Sequence, residues 1–202
     1  MERPSNFQLD NDIYGKFGER VFAEYAKSKG WAVVDVSDDP YYQLIDVDYV
    51  HIKDATMTVH DFFHRWMFKR PLEKRKNSAI MFEVKADTRV GGTGNVLYEI
   101  ISHDGPGCLA ISRADFIFYV QVNDDGTKAE KAWNINLNKW RTWLRENGYY
   151  INSKGFAIRL HNFNRTNDKV LNALCKIETM VEEGFAVEVD LSKFWKNERT
   201  EK

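Results

Sequence analysis

The chain has 202 residues, of which 43% are hydrophobic and 29% are charged, and its formal net charge is -1 at pH 7. This length favours one domain with a sizeable core, which we predict to span residues 1–202. The near-neutral charge excludes a polycationic protein, so any binding of nucleic acid must depend on a local basic surface.

Cysteine usage and hydropathy indicate the compartment. Cys108 and Cys175 stand far apart without a C-x-x-C pair, which is typical of reduced thiols and leaves an iron–sulfur cluster or a structural zinc site without ligands. No apolar run is long enough to span a membrane. The N-terminal sequence MERPSNFQLDND is polar and lacks a signal-peptide core. We therefore expect a cytoplasmic protein.

The first predicted elements are a helix and a strand. Apolar residues recur at helical spacing in NDIYGKFGERVFAEYAKSKGW, residues 11–31. Asn11 or Asp12 is the expected N-terminal cap, and Gly30 the expected end. The sequence WAVVDVS, residues 31–37, is the first predicted strand.

A second strand is predicted after the loop DDPYYQ, residues 38–43. Its sequence, LIDVDYVHI, residues 44–52, alternates between polar and apolar positions. Because alternate residues of a strand share a face, Asp46 and Asp48 are predicted to lie on the same side of an otherwise apolar segment.

Residues 53–78 are interpreted as a basic insertion. They contain seven Lys/Arg and three Asp/Glu, a formal charge of +4. The stretch RWMFKRPLEKRK within them is either an ordinary solvated segment or a surface for phosphate groups, for which such cations supply affinity without sequence information. The candidate nucleic-acid contacts are Arg65, Lys69, Arg70, Lys74, Arg75 and Lys76.

The third predicted strand, AIMFEVKAD, residues 79–87, carries an acid and a base within an apolar run. Glu83 and Lys85 are two positions apart and therefore share a face, whereas Phe82 and Val84 point the other way into a core. The pattern fits an edge strand with one solvated face. It also fits a metal-binding carboxylate beside a cation.

The rest of the chain predicts an α/β domain with a mixed sheet and flanking helices. We expect a glycine-rich loop at 88–95, strands at 96–102 and 108–112, a central strand at 114–122 and a hairpin turn at 123–126. We expect helices at 137–148 and 166–184, and a frayed end at 194–202.

Acids on two neighbouring strands require a counter-charge. A hard divalent cation such as Mg²⁺ supplies it, since this ion takes one or two carboxylates together with waters and phosphate oxygens. Lys85 is then placed to hold or deprotonate a water, or to neutralise charge that develops on a phosphate.

An acidic residue followed on the next strand by Glu-x-Lys, here in FEVKAD, resembles the PD-(D/E)XK nuclease superfamily. The sequence GKFGE, with Gly15 and Glu19, is similar to the Gly-x-x-x-Glu of that family's first helix. The stretches GTGNVLYEIIS and GPGCLAISRADFIFYV resemble a phage and prophage group of such proteins. The resemblance covers about residues 10–122. No proline precedes the acidic residue, the segment 53–78 departs from the pattern, and residues 123–202 are expected as a C-terminal extension packed on the core.

The resemblance implies a restriction-endonuclease-like fold, in which helices flank a central mixed β-sheet, and a Mg²⁺- or Mn²⁺-dependent deoxyribonuclease. Asp48 and Glu83 would bind the metal, with Asp46 and the carbonyl of Val84 as further ligands. Asp46 is the alternative to Asp48 as the main acidic ligand. Lys85 would position or activate the attacking water.

Glu19 would orient Lys85 or a water at the metal, although a plain surface acid is an equal alternative for it. The implied partner is DNA in the host cytoplasm, with no membrane. Endonuclease against exonuclease action and the oligomeric state, including a dimer, stay open. The alternative is a non-catalytic nucleic-acid-binding or protein-interaction protein on the same fold.

Overall fold

The structure, a computed structural model, contains two β-sheets. It describes residues 11–53, 79–102, 105–147, 159–165 and 168–196. The strands are β1 (Ala32–Asp35), β2 (Tyr49–Ile52), β3 (Ala79–Asp87), β4 (Asn95–Ser102), β5 (Gly105–Pro106), β6 (Phe116–Val122), β7 (Ala129–Asn136), β8 (Arg159–Arg165), β9 (Asp168–Lys176) and β10 (Ala186–Val189).

The helices are mostly short. They are α1 (Lys16–Ser28), α2 (Pro40–Gln43), α3 (Val90–Thr93), α4 (Cys108–Ile111), α5 (Leu137–Asn147) and α6 (Ile177–Glu182). A π-helical turn, Asn11–Gly15, precedes α1, and a 3₁₀ turn, Leu191–Lys193, follows β10. Within the part of the chain that the structure describes, no helix is long and apolar enough to cross a membrane.

The six-stranded sheet is mixed, and β3 lies near its middle. Its order is β1-β2-β3-β6-β7-β10. The pair β3 and β6 is parallel, and every other neighbouring pair in this sheet is antiparallel. The second sheet, β5-β4-β9-β8, is antiparallel throughout. The protein is therefore a mixed α/β protein in which helices flank a mixed central sheet, as the sequence predicts.

Both faces of the six-stranded sheet are covered. On one face, α1 packs against the sheet through Phe22, whose ring centroid lies 4.9 Å from that of Phe82 and 5.2 Å from that of Phe118. On the other face, Met81 belongs to a core shared with Tyr98 of β4 and with α5 and α6. Glu83 and Lys85 lie on the same side of β3 as Met81. Glu83 is therefore buried between the two sheets, whereas the Lys85 side chain remains 37% exposed.

Gly18 allows α1 to approach β3 closely. A Cβ atom at this position would lie 3.1 Å from the Cβ of Ala86 and 3.3 Å from a methyl group of Val84. At Gly15, the glycine of the Gly-x-x-x-Glu resemblance, an added Cβ would meet nothing within 4 Å. The close contact fixes the height of the neighbouring residue, Glu19, above the sheet.

Several predicted elements are confirmed. The strand at 79–87 forms over all nine residues, as β3. The central strand forms as β6 and joins β7 through the predicted turn after residue 122. Helix α5 forms at the predicted place. Helix α1 begins at Lys16, later than the predicted caps Asn11 and Asp12, because those residues belong to the π-helical turn.

Three predictions of secondary structure are wrong in part. Residues 108–112 were expected as a strand, but Cys108–Ile111 is a helical turn. The helix predicted over 166–184 is the strand β9 followed by the short helix α6. The second strand was predicted over 44–52, but β2 contains only Tyr49–Ile52. Asp46 and Asp48 therefore lie in the loop before the strand rather than within it.

Candidate metal and catalytic site

Asp48, the residue directly before β2, is hydrogen-bonded to β3. The register of the two strands ends where Tyr49 lies opposite Phe82. Beyond that pair, the backbone amide of Asp48 donates to the carbonyl of Phe82 at 2.9 Å. The amide of Val84 donates to Oδ2 of Asp48 at 2.7 Å. The carboxylate thus replaces the next backbone acceptor of the ladder and is held beside β3.

The carbonyl of Val84 points toward the same side. In a strand, the amide and the carbonyl of one residue face the same neighbour. Since the Val84 amide binds the Asp48 carboxylate, its carbonyl is directed to the side on which β2 has ended. A carboxylate oxygen and a backbone carbonyl oxygen therefore converge there, next to Glu83.

Glu83 is the most deeply buried acid of the site. Only 3% of its surface is exposed. Its Oε1 lies 2.5 Å from Nζ of Lys85, and the Asp48 carboxyl group is close enough to influence its pKa. The two acids and the ammonium that the sequence singled out are therefore brought together, and they are not splayed apart.

Asp46 approaches Lys85 from the loop before β2. Its Oδ1 lies 3.7 Å from Nζ of Lys85. Its Oδ2 accepts a hydrogen bond of 2.7 Å from the hydroxyl of Tyr98. Asp46 and Asp48 were predicted to share one side of a strand. Neither residue belongs to the strand, so the loop before β2 brings them to the same cluster.

Burial and crowded charge shift the pKa values of this cluster. Burial raises the pKa of Glu83 well above its usual range; Lys85 opposes this rise, and Asp48 adds to it. Burial also raises the pKa of Asp48, against the stabilising hydrogen bond from the Val84 amide. Three carboxyl groups, including that of Asp46, stand around one ammonium group, so the cluster has an excess of acid.

Lys85 stays protonated in this setting. Burial alone would lower its pKa, but the carboxylates of Glu83 and Asp46 outweigh burial and hold the pKa of the ammonium well above its ordinary value. A protonated lysine cannot accept a proton. It can neutralise negative charge and donate hydrogen bonds.

Glu19 reaches the site from the α1 side of the sheet. Burial raises its pKa to about 7, and the nearby carboxylates of Asp48 and Asp35 add to the effect. The sequence predicted this residue as a partner of Lys85 or of a water. Acids dominate the charges that act on it, with Lys16 opposing them, and Lys85 is not among these charges. Glu19 therefore extends the acidic cluster rather than pairing with Lys85.

The raised pKa of Glu19 predicts a pH-dependent gain in stability for Glu19→Gln. The folded chain binds this proton more tightly than the unfolded chain, so stability falls as pH rises from about 4.5 to about 7. Each pKa unit corresponds to about 1.4 kcal/mol, which solvent screening reduces here, so we expect a gain of about 1–2 kcal/mol near pH 8. Urea unfolding without divalent cations measures it.

The matched control is Glu24→Gln on the same helix, where the glutamate side chain is 46% exposed. This control should be neutral at both pH values. The gain in Glu19→Gln should vanish near pH 4.5, where the native carboxyl is already protonated. An equal gain in the free energy of unfolding at both pH values would show that the surroundings do not disfavour the ionised form of Glu19.

The donor set fits a hard divalent cation, provided that Lys85 moves. The described residues contain no group of three or more His, Cys, Asp or Glu side chains already arranged around a common metal position. Mg²⁺ needs fewer, since it commonly takes one or two carboxylates and completes its shell with waters and phosphate oxygens. Three oxygen donors are available, from Asp48, Glu83 and the Val84 carbonyl. In the structure, the Glu83 carboxylate is ion-paired with the Lys85 ammonium.

The predicted nucleic-acid contacts lie outside the described residues. Arg65, Lys69, Arg70, Lys74, Arg75 and Lys76 all fall between residues 53 and 79. Their assignment to phosphate binding stays a prediction.

Sequence reasoning missed Tyr98 and Ser112, which hold Asp46. The Tyr98 hydroxyl binds its side chain, and the Ser112 hydroxyl donates to its carbonyl at 3.0 Å. The one available signal was that a tyrosine on the buried face of a strand needs a partner for its hydroxyl. That signal could not name Asp46, which is 52 positions away.

Comparisons with known proteins add no relative to this description. No protein-family model, no curated protein and no solved structure matches the chain.

Proposed function

We propose that this protein is a Mg²⁺- or Mn²⁺-dependent nuclease that hydrolyses phosphodiester bonds of DNA. The observation that carries the proposal is the meeting of Asp48, from the loop directly before β2, with Glu83 and Lys85 of β3 in one acid-rich cluster. Two carboxylates can hold a divalent cation, and an ammonium beside them can neutralise charge on a phosphate.

We also propose the restriction-endonuclease-like fold for the mixed sheet. Three features support it. The Glu-x-Lys pair lies on an inner strand, β3, and Asp48 lies at the start of the neighbouring antiparallel strand, β2. The third feature is the N-terminal helix α1, which carries Glu19 close to Asp48. These are the features on which the resemblance to PD-(D/E)XK nucleases depends.

The chain's own residues have separate tasks in this proposal. Asp48, Glu83 and the Val84 carbonyl would hold the divalent cation. When bound, this ion would supply Lewis-acid stabilisation of the phosphate and lower the pKa of a water. Lys85, which stays protonated, would neutralise charge on the phosphate rather than act as a base.

Glu19 is the group of the site with a pKa near neutrality, at about 7. In its ionised form it can accept a hydrogen bond from a water beside Asp48 and orient it. The basic stretch at 65–76 would bind phosphates along the substrate. Because phosphate contacts carry no base information, this surface supports affinity for nucleic acid and not a particular sequence.

One observation favours a second candidate, a nucleic-acid-binding protein without catalysis on the same fold. The contact of 2.5 Å between Lys85 and Glu83 already neutralises one of the two metal-binding carboxylates. If that ion pair is permanent, the acid cluster has a structural role only. Such a protein would bind DNA with strong salt dependence and would leave it uncut.

A panel of labelled substrates tests the proposal. Linear duplex DNA, single-stranded DNA, closed circular DNA and RNA would each be incubated with Mg²⁺, with Mn²⁺ and with EDTA. We expect cleavage of at least one DNA form with a divalent cation and none with EDTA. Cleavage of the closed circle identifies an endonuclease. Salt-dependent binding without cleavage would favour the second candidate, and the absence of both would refute the two together.

A further inference from the structure

Asp46 is held in an unusual backbone conformation by its surroundings. Its φ angle is 53°, and it is the one residue other than glycine with positive φ in the described part of the chain. The Ser112 hydroxyl donates to its carbonyl, and the amide of Arg113 donates to the preceding carbonyl, that of Ile45, at 2.8 Å. Such backbone strain persists only where neighbouring contacts enforce it.

The carboxylate of Asp46 is fixed at both oxygens. One oxygen accepts from the hydroxyl of Tyr98, a side chain that is 1% exposed, and the other faces the Lys85 ammonium at 3.7 Å. The same ammonium lies 5.9 Å from the centre of the Tyr98 ring, a favourable cation–π position. Asp46 and Tyr98 together therefore form a preformed acceptor for a cationic side chain.

The Lys85 ammonium thus has two carboxylates within reach, those of Glu83 and Asp46. Of these two, only Glu83 is needed to bind a metal ion. An ammonium and a divalent cation cannot both be neutralised by the single buried carboxylate of Glu83, since they compete for it and repel each other. Asp46 keeps one oxygen on Tyr98 and the other toward Lys85, so it is poorly placed to give either oxygen to a metal.

We propose that Asp46 and Tyr98 are positioning residues that receive the Lys85 ammonium when Glu83 is engaged by a divalent cation, and that Asp46 is not a metal ligand. This inference rests on the proposed function. It states how the site changes from the ion-paired arrangement to a metal-loaded one. The shift moves Lys85 from Glu83 to Asp46 and keeps its charge within the site, beside the scissile phosphate.

Asp46→Asn and Tyr98→Phe test the inference. Asparagine tolerates a positive φ angle, so Asp46→Asn removes charge with little change of backbone. Binding of Mn²⁺ would be measured by calorimetry without nucleic acid, and cleavage by steady-state kinetics at saturating metal. For both variants we expect Mn²⁺ affinity within about 3-fold of the parent, unchanged KM for DNA, and kcat lowered by about 10- to 100-fold.

Tyr119→Phe is the matched control. It also removes a buried tyrosine–aspartate hydrogen bond, of 2.6 Å to Asp87. Tyr119 lies opposite Lys85 in the sheet, but its hydroxyl binds Asp87 and not an acceptor of the Lys85 ammonium. We expect it to lower the melting temperature as much as Tyr98→Phe does while leaving kcat unchanged. If this control lost kcat to a similar degree, the loss in Tyr98→Phe would be explained by lower stability alone, and the inference would be overturned.

Two further outcomes contradict the inference while leaving the nuclease proposal intact. If Asp46→Asn loses Mn²⁺ affinity to the same degree as Glu83→Gln, Asp46 is a ligand. If kcat of Asp46→Asn is unchanged, Asp46 does not position Lys85. A parent protein that binds no Mn²⁺ and cuts no DNA would remove the inference and the proposed function together.

Discussion

Replacing Glu83 with glutamine is expected to lower DNA cleavage by about 1000-fold, equivalent to about 4 kcal/mol of transition-state stabilisation. Glutamine keeps the size of the side chain but removes the buried negative charge that would hold a divalent cation. Lys85→Met should cause a loss of similar size, because it removes the charge that faces the phosphate. Initial rates on the cleaved DNA form, with Mg²⁺ and with Mn²⁺, measure both.

The double variant provides an internal check on that result. Groups that act as one unit give non-additive losses, so Glu83→Gln combined with Lys85→Met should be little worse than either change alone. Glu188→Gln, on the exposed part of strand β10, is the matched control and should cut at the parental rate. Parental cleavage by Glu83→Gln would remove this residue from the mechanism.

Asp48→Asn is expected to weaken Mn²⁺ binding by at least about 100-fold while the fold is retained, since removal of one of two anionic ligands costs several kcal/mol. The asparagine carbonyl can still accept the Val84 amide, which Asp48 now binds at 2.7 Å. Asp48→Ala leaves that amide without its acceptor and should additionally lower the free energy of unfolding by about 1–3 kcal/mol. Calorimetric titration and urea unfolding measure the two effects.

The comparison of the two Asp48 variants separates structure from chemistry. If the asparagine variant binds Mn²⁺ like the parent, the carboxylate serves only to close the strand ladder. Asp124→Asn, in the exposed turn between β6 and β7, is a control with no expected effect on either measurement. Equal stability of the alanine and asparagine variants would contradict the role assigned to the Val84 hydrogen bond.

Much of the central sheet could be predicted because its strands carry strong local patterns. In strand β3, polar and apolar residues alternate from Phe82 to Asp87, and β6 is almost continuously apolar, as expected for a strand covered on both faces. Short apolar segments carried less information. Residues 108–111 form a helical turn, although four apolar residues fit a strand equally well.

Residues 168–176 show how tertiary pairing overrides local preference. Their apolar spacing suits a helix, yet they form β9, in which Cys175 pairs with Val96 of β4. Nothing in the local sequence of this segment indicates that it pairs with β4, a strand distant in the chain. The same limit explains why the second sheet as a whole was not predicted.

The candidate site could be predicted in its residue types more readily than in its geometry. Glu83 and Lys85 share a face because of strand periodicity alone. The same argument applied to Asp46 and Asp48 predicted a strand where the chain forms a loop, with Asp46 at positive φ. Both aspartates still reach the cluster, because β2 begins immediately after them.

The burial of Glu83 was also unforeseen. Sequence reasoning placed this residue on a face pointing out of the core, but the second sheet and helix α5 cover that face. This burial raises the pKa of Glu83, and a bound cation would stabilise the ionised form of its carboxyl group.

Anomalous diffraction from crystals grown with Mn²⁺ tests the central claim most directly. The account predicts one strong peak within coordination distance of the carboxylates of Asp48 and Glu83, with the Lys85 ammonium moved off Glu83. A structure with no peak at these carboxylates, and with Lys85 still bound to Glu83 at saturating Mn²⁺, would contradict it.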